Sequence, residues 1–95
     1  MNTLSPQAAE EVALAGLARL AADEELLLRF CELTGILSNE MREAATQPNF
    51  LPGVLDFYLA HEPDLLDWAR DDGFPPEHVM AARYTLAPND MAGIE

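Results

Sequence analysis

The side chains most capable of chemistry in this sequence are two histidines, one cysteine, five arginines and a large excess of carboxylates. His61-Glu62-Pro63-Asp64-Leu65 opens like the metalloprotease box, in which two histidines one turn apart share a zinc ion. Leu65 stands where the second histidine belongs, and Pro63 interrupts the helix that would align the rings. The other histidine, His78, lies in a separate segment, and with Cys31 the three make a poor zinc set. Asp64, Asp67, Asp71, Asp72 and Gly73 suggest a calcium loop, but counting back from Gly73 puts Trp68 at the first ligand position and Val79 at the last. They read as a solvated helix face. Cys31 has only Arg29 near it in sequence and reads as a structural thiol. The five glycines are isolated, so no phosphate loop is present. No catalytic residue, metal ligand or cofactor is assigned.

One charge pair calls for a partner. Arg83 lies beside the apolar stripe of the last helical segment with no acid three or four positions away, and Arg42 is similarly placed. A half-buried guanidinium needs a carboxylate or carbonyls. Asp56, alone among apolar residues, is the natural counterpart, so the expectation is a fold-specifying ion pair of Asp56 with Arg83 or Arg42, or else a cap on a nearby helix terminus. On that reading Asp56→Ala lowers thermal stability markedly. A dispersed carboxylate site of Asp56, His61 and Arg83 is the enzymatic alternative; it requires a deep pocket holding all three.

Charge and size bound the partners. Seventeen acids against five arginines, with no lysine, give a net charge of -12 over 95 residues. Binding a phosphate backbone needs a positive patch that releases counterions, and an anionic membrane surface needs the same. Both are disfavoured; a basic protein partner fits. A small domain has limited core, which makes a second copy of the chain the other candidate partner. Trp68, Leu28 and Leu14 fall off the main apolar faces of their helices; each belongs either to the flank of the core, the first reading, or to a partner-binding surface, for which Trp68 is the foremost candidate because tryptophan is enriched at binding hot spots. The lone cysteine, the absence of a basic leader with an apolar run behind it, and a longest apolar run of only Val12 to Ala18 favour the cytoplasm.

The elements that must hold these residues are all helical. Ser5-Pro6 opens a first helix to about Ala22; Asp23 caps a second that stops at Gly35; Ser38 caps a short third to about Thr46. Asn49 opens a fourth, from Phe50 to about His61; Pro63 starts a fifth that stops at Gly73; Phe74 and Val79 staple a sixth that runs to about Leu86. No segment alternates like a strand. In the second helix Leu26, Leu27, Phe30, Leu33 and Thr34 share a face, and in the fifth Leu65, Leu66 and Ala69 do. The fourth is apolar almost all round, with Asp56 its only charge, and belongs at the centre. The fold class is therefore all-α, a bundle of about six short helices in one domain over residues 1–86, with 87–95 a frayed tail.

The fifth and sixth segments form a helix, a turn and a second helix, the outline of a helix-turn-helix that would present His78, Ala81, Tyr84 and Thr85. A nucleic-acid-binding regulator acting through residues 63–86 is the alternative reading of function, against which stand the five acids and only two arginines of that stretch.

The stretch from Leu20 to Leu86 resembles a family of short uncharacterised bacterial proteins, a domain of unknown function. The likeness rests on Asp23-Glu24-Glu25-Leu26-Leu27 with Phe30, on Thr34-Gly35, and on Phe50-Leu51 leading to Val54-Leu55-Asp56-Phe57. Glu62 with Leu65-Leu66, Gly73 followed by Pro76-Glu77, and Ala82-Arg83 complete it. It implies a small free-standing protein and carries no assigned activity or site residue. The function expected from the residues is a protein-interaction module or small regulator.

Overall fold

The computed structural model describes residues 4–86. Six α-helices follow one another: α1 (Pro6–Ala22), α2 (Glu24–Thr34), α3 (Met41–Ala44), α4 (Phe50–Ala60), α5 (Glu62–Asp72) and α6 (Glu77–Leu86), with a single 3-10 turn at Ser38–Glu40 ahead of α3. Among the described residues there is no strand, and the fold is all-α. The segment expected as a tail, 87–95, lies outside them.

Local chemistry sets the helix ends. Ser5 Oγ accepts from the Ala8 amide at 3.1 Å, and Asp23 Oδ1 from the Leu26 amide at 3.2 Å, each satisfying a donor that the first turn leaves without an intrahelical acceptor. Gly35 and Gly73 close α2 and α5 in the left-handed region, with φ of 79° and 77°, where a side chain would be strained. The third helix departs from expectation. Ser38 does not cap it; the chain enters through Leu37, whose amide donates to Glu40 Oε1 at 3.2 Å, and after the 3-10 turn only one α-turn forms. Asn49 makes no side-chain capping bond to α4: its backbone is helical rather than extended, with φ of -92° and ψ of 0°, and Pro52 at the third helical position has no amide to donate.

Helix α4 is central, as its sequence predicts. Phe50, Pro52, Val54, Leu55, Phe57 and Tyr58 are buried, and α1, α5 and α6 pack round it. Phe57 meets Phe30 of α2 edge-on at 5.4 Å between ring centres, so α2 reaches the same core. The most extensive helix pairing is that of α1 with α6, where Ala9, Ala13, Val79 and Ala82 are fully enclosed.

Two inward faces differ from the predicted ones. In α5 the buried stripe is Leu65, Trp68 and Ala69, while Leu66 is turned out and 44% exposed. In α2 only Leu26 and Phe30 are buried; Leu33 and Thr34, one turn further on, overhang the core and are exposed.

Helix α1 packs closely on α4 at Gly16. Gly16 is buried there, and the Tyr58 hydroxyl donates to its carbonyl at 2.8 Å. Burial pushes the Tyr58 phenol well above its ordinary range, against a smaller opposing pull from the nearby Arg19. The sign follows: above about pH 10 an unfolded tyrosine loses its proton and the folded one keeps it, so stability falls as pH climbs through that region. Tyr58→Phe is expected to cost about 1 kcal/mol at neutral pH, the net value of one hydrogen bond. It is also expected to flatten the alkaline fall, read as melting temperatures of both proteins between about pH 8 and about pH 11.

Candidate interaction surface

The residues singled out for chemistry are scattered. Nδ1 of His61 lies 2.9 Å from the Phe57 carbonyl oxygen, so it carries the proton and donates to the end of α4, with its ring tilted over Phe57 at 4.9 Å. His78 lies against Phe74 at 5.8 Å. Cys31 is half-buried. Among the described residues no group of three or more His, Cys, Asp or Glu side chains is placed to hold a metal ion, and no helix is long and apolar enough to cross a membrane.

Asp56 meets Arg83, whose Nε donates to Oδ1 at 2.6 Å. Arg42 lies elsewhere, exposed on α3, and does not share Asp56. The Asp56–Arg83 pair sits at the rim of α4 and α6, with side-chain exposures of 55% and 22%. Water therefore screens it, and surface pairs are worth about 0.2–1 kcal/mol. The marked loss expected for Asp56→Ala from sequence is corrected accordingly. The variant should melt only a few degrees lower, by less than about 1 kcal/mol, and raised salt should narrow the gap.

Trp68 corrects the expectation most sharply. The foremost candidate for partner binding, it is instead 0% exposed and forms the floor of the core. Its ring packs at 4.5 Å from Tyr58 and edge-on at 5.1 Å from Phe74, and its indole N–H donates to Asp72 Oδ2 at 2.9 Å. The reason is shape: Gly16 offers no side chain, and the indole fills the space beside it. Burying the largest apolar side chain outweighs burying Leu66 on the neighbouring face.

Leu28 and Leu14 are both exposed, and Leu28 borders a larger apolar surface. That surface surrounds the segment from Gly35 to Asn49. A groove of about 300 Å³ is lined by Leu28, Cys31, Glu32, Ile36 and Leu37, among others. A second, of about 260 Å³, runs past Ile36, Glu40, Glu43 and Gln47, and a third, of about 290 Å³, past Ile36, Ala44, Asn49 and Phe50. Ile36 is common to all three. A fourth lies on the α1 side, between Leu17, Leu27, Met41 and Arg42. Leu37 is 59% exposed beside these grooves, and Leu33 is exposed to the same degree at the end of α2. Asp56, His61 and Arg83 line none of the four. Sequence reasoning found Leu28 and missed Ile36 and Leu37, which belong to no periodic stripe; two adjacent branched apolar residues after a helix-stopping glycine were the available signal.

The charges are sorted between two regions. Arg19 pairs with Asp71, Arg29 with Asp64, Arg70 with Asp67, and Arg83 with Asp56. All four carboxylates stand on α4 or α5. On α2, the 3-10 turn and α3, the carboxylates of Glu24, Glu25, Glu32, Glu40 and Glu43 form no ion pair among the described residues.

No curated protein and no solved structure gives a match to this chain. A family model described as Protein of unknown function (DUF3572) matches residues 6–89, which extends the likeness read from residues 20–86 through the whole of α1. With that match spanning nearly the full length over an all-α fold, the chain belongs to the DUF3572 family of proteins of unknown function.

Proposed function

We propose that this chain is a protein-interaction module, acting as a small regulator, whose docking surface is the apolar ground around Ile36. The observation that carries this reading is the meeting of three grooves at Ile36, two of them lined mainly by apolar surface and the third by Glu40, Glu43 and Gln47, flanked by exposed Leu28 and Leu37. Exposed leucines gathered round concave ground are a feature of partner sites, whereas single exposed leucines are ordinary. A net charge of -12 steers the surface toward basic proteins and sets two copies of the chain against each other.

The test is affinity capture from cells at low and raised salt with three proteins: the unchanged chain, Leu37→Asp, and Met80→Asp as a control on α6. A defined partner held by the unchanged chain and by Met80→Asp, released by salt and lost with Leu37→Asp, supports the reading. Equal retention by all three, or a monomer that holds nothing at low salt, removes it.

A further inference from the structure

We infer that the occupant of this surface is a basic amphipathic helix of a partner protein, its apolar stripe set against Leu28, Cys31, Ile36 and Leu37 and its cationic flank facing Glu32, Glu40 and Glu43. The inference rests on the interaction reading above and names the chemistry of the partner.

Charge complementarity supplies the first argument. None of the three grooves that meet at Ile36 is lined by an arginine, yet Glu32, Glu40 and Glu43 line two of them. The arginines that neutralise this protein are committed to aspartates of α4 and α5. Arg42, the fifth, lies on the α1-side groove beside Leu17 and Met41. The apolar ground is thus bordered by carboxylates that have no cation of their own. Helix α2 adds to the field: it ends here, at Gly35, with no basic residue in its last turn. A helix C-terminus carries about half a negative charge from its carbonyls. Lysines or arginines on an arriving segment complement both sources.

Backbone chemistry supplies the second argument. The described residues contain no sheet edge, so an extended peptide would find no ladder to join. A helix satisfies its own amides and needs only side-chain ground, which the grooves provide. A second copy of this chain is the poorer occupant. Its own α2 carries Glu24, Glu25 and Glu32 against Arg29, the wrong sign for the rim.

The probe is a synthetic helix of about 18 residues, built of leucine and lysine with the leucines on one face at three- and four-residue spacing. Two comparison peptides share its length: one with the same composition but the leucines dispersed round the helix, one with glutamate for lysine. Binding is followed by anisotropy and by backbone amide shifts in the 15N-labelled protein. The expected result is that the amphipathic basic peptide binds most tightly and moves the amides of Leu28 to Glu43. Leu37→Asp should weaken it at least about tenfold, with circular dichroism unchanged because Leu37 is exposed. Glu40→Gln with Glu43→Gln should weaken it several-fold and flatten the salt dependence; the amide of Gln still accepts from Leu37 and keeps the turn. Equal binding of the dispersed peptide, tighter binding of the glutamate peptide, or amide shifts confined to α5 and α6 overturns the inference. Any of these leaves the interaction reading to be decided by the capture experiment, which compares the unchanged chain, Leu37→Asp and the Met80→Asp control at two salt concentrations and assumes no helical partner.

Discussion

Trp68→Ala should lower the melting temperature by at least about 12 °C, or leave the chain unfolded at 25 °C. The indole is completely enclosed, packed on Tyr58, Phe74 and the bare backbone of Gly16. Truncating a buried tryptophan costs about 3–5 kcal/mol through lost burial and an unfilled cavity. A domain of this size has about 5–15 kcal/mol in total, and each kcal/mol moves the midpoint by about 4–8 °C. Thermal unfolding followed by far-ultraviolet circular dichroism measures it, since the variant has lost its only tryptophan. The Asp72 carboxylate that accepts the indole N–H is exposed and can turn to water, so the loss is one of packing rather than of a stranded charge. A midpoint within about 3 °C of the unchanged protein would show that the indole is not enclosed.

The same small substitution at two glycines should act in opposite directions. A Cβ on Gly16 would stand 2.9 Å from Cη2 of Trp68 and 3.1 Å from Cε2 of Tyr58, both on rigid, fully buried rings. Overpacking of that kind costs about 1–3 kcal/mol, which exceeds the roughly 1 kcal/mol an alanine contributes to a helix interior. Gly16→Ala is therefore expected to destabilise by up to about 2 kcal/mol, the overpacking less the helix gain. Gly16→Leu, with three further carbons aimed at the indole, should cost more than about 3 kcal/mol. Gly53 also lies in a helix, but nothing stands within 4 Å of its would-be Cβ. Gly53→Ala should raise stability by about 0.5 kcal/mol. Urea titrations of the three variants decide the matter; a stabilised Gly16→Ala would mean that α1 and α4 part easily.

Trp68 and Gly16 also mark where sequence reasoning stopped. On α5, Leu66 and Trp68 stand on opposite flanks of the line through Leu65 and Ala69, at nearly equal angles from it. Periodicity alone cannot choose which flank turns inward. The choice is made by a distant partner, the vacant side of Gly16, which becomes relevant only once α1 lies across α4. What depends on short-range chemistry was legible: the caps at Ser5 and Asp23, the stops at Gly35 and Gly73, and the all-round apolar character that centres α4. The Asp56–Arg83 pairing was legible as a candidate because both charges lacked local neighbours, but its exposure was not. The docking ground was least legible. It is shaped by the path of Gly35 to Asn49, where a 3-10 turn, one helical turn and a bend succeed each other without a period.

The pairing of the first helix with the last has a consequence for how the molecule comes into being. The Thr85 hydroxyl donates to the Leu4 carbonyl at 3.2 Å, so the two ends of the described chain meet. The wall against which α1 rests is thus the last of the described helices to be synthesised. A nascent polypeptide halted before Glu77 has Ala9, Ala13 and Val54 without their cover of Val79 and Ala82. Closure of the globule accordingly waits on α6, and until that helix is made the oily N-terminal half lacks its cover.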